Sequence, residues 1–269
     1  MVRTYVRRQY IPHSPFRFVA ELGHVAMVVY YALRLMINRK DTAPTYKYCW
    51  HLDQITLFRS QFQAYLANHP AKIDRWTKPR LFIDHMPDPE AFSGYPEASV
   101  GRAYYDMWKR HSDEGLMELR KRRLEVLPQE RKGLDLEGLA ASCDPDDRYE
   151  RIVARRNIFM TSTHDFCHML IGANTDVAGE ALVARYQYHH LLVPQNWLNE
   201  LTCIIVYLVS LRWSELKRIF ACFGPIDRSA NYADLDMESL WSRPIATVRK
   251  ELGLPEEGFM PGGMLPQQP

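Results

Sequence analysis

Apolar positions along this chain recur at helical spacing and nowhere alternate over the length of a strand. From about Asp53 to Leu66, the positions Ile55, Leu57, Phe58, Phe62, Tyr65 and Leu66 follow a period near 3.6 and predict a helix. Ser99 to Arg110, carrying Tyr104, Tyr105 and Trp108, predicts another. An amphipathic helix is expected over about 18–37, and a last one opens at Trp241-Ser242-Arg243-Pro244 and runs through Glu251. Leu201 to Leu211 is the most apolar run, and it is shorter than the ~20 residues a bilayer crossing needs. It is therefore expected as a buried helix. Pro70, Pro79, Pro87, Pro89 and Pro96 confine the stretch between to short elements, and the charge-rich Arg120 to Arg148 reads as a solvated excursion. The fold class predicted is all-α, a helical bundle in a single domain over 1–257, with 258–269 a flexible Gly/Pro/Gln tail.

The bundle is expected to form around an antiparallel helix hairpin spanning about 150–192. Gly172-Ala173-Asn174-Thr175 reads as a helix stop and a new start, with Gly172 near the C-terminal cap, Asn174 or Thr175 as N-cap and Asp176 in the first turn. On the first helix, His164, Asp165 and His168 fall within one arc of roughly 100°. His168 precedes the turn by about as much as Glu180 follows it, so Glu180 lies at similar depth on the neighbouring helix. Two imidazoles and two carboxylates suit one divalent cation, with zinc, iron, manganese and cobalt undistinguished. The alternative is a row of hydrogen-bonded polar residues. It is disfavoured because Phe159, Phe166, Cys167 and Leu170 border the same face, and burying four ionisable groups without a cation is costly. Arg155 and Arg156, about two turns before His164, are candidate anchors for an anionic substrate.

Hydrophobic residues make up 46% of the chain and the formal net charge is only +2, a globular composition with no general attraction to nucleic acid. Charge is uneven, however. Up to Lys40 the basic residues Arg3, Arg7, Arg8, Arg17, Arg34, Arg39 and Lys40 face the single acid Glu21, which suits an anionic membrane surface. The five cysteines form no C-x-x-C pair and point to a reducing, intracellular compartment. Cys167 reads as a small core residue.

His164, Asp165, His168 and, after eleven further residues, Glu180 with Gly179 before it together resemble the motif of the ubiquinone (coenzyme Q) biosynthesis protein COQ-four family. Ala67-Asn68-His69-Pro70, Lys78-Pro79-Arg80, the Ala98 to Tyr104 segment and Glu238 to Leu254 extend the likeness. The chain departs from the family where Phe159 and Thr161 stand in place of arginines, and where Ala184-Arg185-Tyr186-Gln187 stands in place of a Lys-Trp-Phe-Glu run. The resemblance implies an all-helical, peripheral membrane protein of quinone biosynthesis, on the cytoplasmic face in a bacterium or the mitochondrial inner membrane in a eukaryote. Its activity would be oxidative decarboxylation at ring C1 of a prenylated aromatic precursor, with His164, Asp165, His168 and Glu180 as metal ligands and catalytic residues.

Implied partners are that precursor or another isoprenoid lipid, the membrane surface, other quinone biosynthesis proteins and a second copy of the chain. The apolar helices Val25 to Leu33 and Leu201 to Leu211 are expected to wall a groove for the prenyl tail. Two other readings compete. One is a noncatalytic prenyl-lipid scaffold with a structural cation. The other is a phosphohydrolase of the His-Asp type, which needs a further His upstream and a further Asp downstream.

Overall fold

The computed structural model describes residues 22–30, 56–85, 87–112 and 145–260, and these are mainly helical with no strand among them. The helices are α1 (22–30), α2 (Thr56–Asn68), α3 (Pro70–Thr77), α4 (Val100–Ser112), α5 (Pro145–Ser162), α6 (His164–Ile171), α7 (Val177–Leu191), α8 (Pro194–Val209), α9 (Trp213–Arg228) and α10 (Ile245–Glu251). The expected all-α class is thus observed. The N-terminal arginines and most of the charge-rich segment lie outside the described residues, although Pro145, Asp146 and Asp147 open a helix, with Pro145 at its first position.

The described residues divide into two compact units. The first holds α1, α2, α3, residues 145–157 of α5 and residues 192–195. Its interior includes Phe62, Leu66, Trp76, Ile152 and Val153. Arg155 and Arg156 belong to this interior, at 0% and 1% exposure. The Arg155 guanidinium donates to the Lys78 carbonyl at 2.8 Å, and that of Arg156 donates to the Leu192 carbonyl at 3.1 Å and lies 3.9 Å from the Phe62 ring centroid. Both side chains, expected as anchors for a substrate anion, are thus buried and bonded to backbone carbonyls of this unit.

The second unit holds residues 79–85, 87–112, 158–191 and 196–260, and it carries the hairpin. Phe82, Phe92, Tyr104, Phe166 and Trp241 form one aromatic cluster, with Phe166 ring centroids 5.4 Å from Phe82 and 5.9 Å from Trp241. Phe166 fastens α6 to that cluster. Between α5 and α6 the chain bends at Thr163, whose hydroxyl donates to the Phe159 carbonyl at 2.6 Å and competes there with the backbone ladder.

Two expectations are overturned in this unit. Leu201 to Leu211 is helical as far as Val209, but apart from Tyr207 its apolar side chains are not buried: Leu201, Ile205, Val206, Leu208, Val209 and Leu211 are exposed, with Val209 at 78%. A dozen apolar residues show aversion to water, not what covers them, and here most of them are exposed. Nor does the tail begin at Gly258. Phe259 and Met260 donate their amides to the Ile171 and Gly172 carbonyls at 3.0 Å each, and Met260 is buried. Among the described residues, no helix is long and apolar enough to cross a membrane.

Candidate metal centre

The hairpin is built by two caps. Gly172, at φ +64°, closes α6: its amide bonds the Met169 carbonyl and the Ala173 amide bonds the His168 carbonyl at 2.9 Å, a Schellman ending. Helix α7 opens on Asp176, whose carboxylate accepts from the Gly179 amide at 2.8 Å, so Asp176 takes the N-cap role expected of Asn174 or Thr175. The remaining C-terminal carbonyls of α6 are all engaged. Arg249 donates to Leu170 at 2.9 Å and to Met169 at 2.8 Å, and the 259–260 backbone takes Ile171 and Gly172.

Gly179 sits where α7 passes closest to the turn. A Cβ there would lie well inside van der Waals contact of the Asn174 carbonyl, which is backbone and cannot swing aside. Gly179→Ala is therefore expected to destabilise by at least ~2 kcal/mol in urea unfolding. Unchanged stability would show that the turn yields freely and does not fix the position of Glu180.

This geometry brings His164, His168 and Glu180 together. Glu180 Oε2 lies 3.2 Å from His164 Nε2, Glu180 Oε1 lies 3.3 Å from His168 Nε2, and the two Nε2 atoms are 3.3 Å apart. All three residues offer ligand atoms within 4.8 Å of one another. Tetrahedral bonds of about 2.0–2.1 Å put neighbouring ligand atoms about 3.3–3.4 Å apart, so the donor set fits one cation. Asp165 does not join them. One residue of helix turns the side chain about 100° from His164, whereas four residues return His168 to nearly the same direction. Asp165 occupies the first turn of α6, where its charge suits the helix dipole.

One wall of the site is dry and the other is wet, because the His168 side chain is 2% exposed and that of Glu180 42%. Burial alone would raise the Glu180 carboxyl. The His164 charge, and hydrogen bonds from both imidazoles, outweigh it and hold the group below the usual carboxylate range. Burial pushes the neighbouring Cys167 thiol up to about 12, which keeps it protonated and leaves it a core residue instead of a thiolate ligand. Further along α7, His189 is exposed and His190 is buried against Tyr232, with its Nε2 3.3 Å from Ser229 Oγ.

Sequence reasoning missed two residues here. Gln187 approaches His164, and its only signal was lying seven residues, or two turns, beyond Glu180. Arg249 lies in the Glu238 to Leu254 segment that extends the family likeness, but its link to the hairpin gave no signal, since its partners are some eighty residues away in sequence.

The fold and this site define an all-α protein with an open centre of two histidines and one carboxylate. Residues 146–257 match the family described as coenzyme Q (ubiquinone) biosynthesis protein Coq4. The match bears out the resemblance drawn from the residues, over the segment that holds His164, Asp165, His168 and Glu180. No curated protein matches the sequence. A crystal structure of a Nostoc punctiforme PCC 73102 protein, provisionally assigned to ubiquinone biosynthesis, superposes with a TM-score of 0.55 at 15% identity, covering 87% of this chain and 96% of that one. At that identity the likeness is one of fold.

Proposed function

We propose that this protein is a metal-dependent enzyme of quinone biosynthesis that acts at a membrane surface on a prenylated aromatic precursor, replacing the ring C1 carboxyl by hydroxyl. The observation that supports this reading best is the convergence of His164, His168 and Glu180 at 3.2–3.3 Å beside an open side of the site. The three side chains would hold one divalent ion, which when bound supplies an electron-pair acceptor for a carboxylate or phenolate oxygen and, for iron, manganese or cobalt, a redox couple. In the overall change the bond from ring carbon to carboxyl breaks with loss of carbon dioxide, and a bond to oxygen forms at the same carbon. That is a two-electron oxidation; with dioxygen as the oxidant, the ring carboxylic acid, water and dioxygen give the phenol, carbon dioxide and hydrogen peroxide. The chain's own residues orient and shield: the buried His168 closes the dry side, while the half-exposed Glu180 carboxylate faces the side from which a substrate enters.

A phosphohydrolase of the His-Asp type is disfavoured, because Asp165 stands outside the cluster and no further His or Asp joins it among the described residues. The membrane part of the reading rests on the α8–α9 corner. Trp197, Leu201, Ile205, Val209, Leu211 and Trp213 are exposed there, beside the exposed cations Arg212, Lys217 and Arg218.

Metal analysis of the purified protein, with mass spectrometry of co-purified lipid, tests the reading. About one ion per chain and an isoprenoid aromatic lipid are expected. Turnover of precursor indifferent to metal removal in a protein that stays folded would favour the scaffold reading. Flotation with anionic liposomes tests the surface: Ile205→Glu with Val209→Glu forfeits about 1.5 kcal/mol or more per side chain and should cut partitioning at least about a hundredfold. Self-association without lipid, lost in the same variant, would instead assign the corner to a second copy of the chain.

A further inference from the structure

We infer that Glu200 on α8 is a specificity residue that takes the hydroxyl of the ligand's aromatic ring, with Cys203 lying beside that ring. The inference rests on the reading above for the other end of the ring, the carboxyl at the metal centre. Helix α8 is amphipathic in the inverted sense. Its positions Leu201, Ile205, Val206, Leu208 and Val209 are apolar and exposed, whereas among residues 197–209 only Glu200 and Tyr207 are buried, with Cys203 and Ile204 half-buried between them. A largely polar stripe thus faces the protein.

That stripe runs beside α7. Arg185 and Glu200 stand seven residues before and eight after Leu192, and Glu180 and Cys203 stand twelve before and eleven after it, the spacing of antiparallel neighbours. The first pair meets directly, with Arg185 Nη1 donating to Glu200 Oε1 at 3.2 Å. The second is felt as charge: burial raises the Cys203 thiol to about 11, and the Glu180 and Glu200 carboxylates push it the same way. Cys203 therefore lies between the two carboxyl groups. Glu200 is level with Arg185, five residues from Glu180, or about 7.5 Å along α7. One ring with its polar groups at opposite ends bridges such a span.

Of the two Glu200 oxygens, only one is used by the fold. Oε1 is held by Arg185, whose Nε and Nη2 are given to Asp227 on α9 at 2.8 and 2.6 Å. Oε2 is buried and takes no hydrogen bond from any described residue, in a side chain that is 8% exposed. Leaving such an atom unmatched is costly. A hydroxyl matches it in either protonation state of the carboxyl, because a hydroxyl both donates and accepts. A second carboxylate would be repelled. Glu200 thereby sorts the ends of the ring, hydroxyl toward α8 and carboxyl toward the cation.

Calorimetry on the zinc-loaded full chain compares para-hydroxybenzoate carrying a geranyl chain with the same geranylated benzoate lacking the hydroxyl. Wild type is expected to bind the hydroxylated probe about 10–100-fold more tightly, as befits a hydrogen bond to a charged group. In Glu200→Leu, where Arg185 keeps Asp227, that ratio should fall to near unity while the dehydroxylated probe binds no worse. A purely structural role would weaken both probes together. The hydroxylated probe should also slow labelling of Cys203 by N-ethylmaleimide and leave Cys222 unaffected, both thiols being partly exposed. A wild-type ratio near unity, a ratio that survives in Glu200→Leu, or an unprotected Cys203 would overturn the inference. Discrimination that persists while neither probe responds to zinc would refute the metal end and leave Glu200 in place, and failure of both probes to bind would refute both. If Glu200→Leu does not fold, the wild-type ratio and the protection of Cys203 decide.

Discussion

Replacing His168 by alanine is expected to leave the purified protein with less than about a tenth of its bound metal. The loss should exceed the ~10–100-fold in affinity that removing a supporting group costs, because His168 offers its Nε2 directly to the cluster. Glu180→Gln should come close to it, since the amide keeps an oxygen but gives up the only anionic ligand of the cluster. His189→Ala is the matched control. It lies on α7 with Glu180 but is exposed, with Nδ1 3.9 Å from Asp227, so its metal content should be unchanged. Elemental analysis, and the visible absorption of the cobalt-loaded protein, report both. Stoichiometric metal in His168→Ala would remove the site and the enzyme reading with it.

Arg249→Leu is expected to destabilise the folded protein by about 3–5 kcal/mol in urea unfolding. Arg249 is 6% exposed and gives three hydrogen bonds to carbonyls, those of Met169, Leu170 and Glu256. A hydrogen bond from a charged group contributes about 1.5–3 kcal/mol, and losing these leaves buried acceptors at the end of α6 without partners. Lysine should not rescue it, because a single ammonium cannot reproduce the planar fork that spans neighbouring carbonyls. A stability within about 1 kcal/mol of wild type would mean that water reaches those carbonyls and replaces the guanidinium.

Helices such as α2 and α4 were legible because each buries one face, and burial of one face writes a period into the sequence. The hairpin was legible too, since Gly172 offers a left-handed stop and the equal spacing of His168 and Glu180 about the turn places both at one depth. Asp165 was misplaced because an arc of 100° is wide enough for a helix face but too wide for a shell of ligands at about 2 Å. Arg155 and Arg156 show the limit of a charge pattern. Two adjacent arginines look like solvated cations, and only the Lys78 and Leu192 carbonyls, remote in sequence, reveal them as buried struts. The outward face of α8 was misread for a related reason. Composition sets what a helix avoids, and tertiary structure alone decides whether its partner is within the chain.

The capping of α6 also carries an order of events. Both ligand-bearing helices are complete in sequence by Leu191, yet the Leu170, Ile171 and Gly172 carbonyls at the end of α6 are taken up by Arg249, Phe259 and Met260. As the chain leaves the ribosome, the hairpin must wait for some seventy more residues before its turn is sealed, and loops of that length close late. The three side chains of the centre are thus brought into register by the last described part of the chain to be made, so that a nascent or shortened protein holds them only loosely.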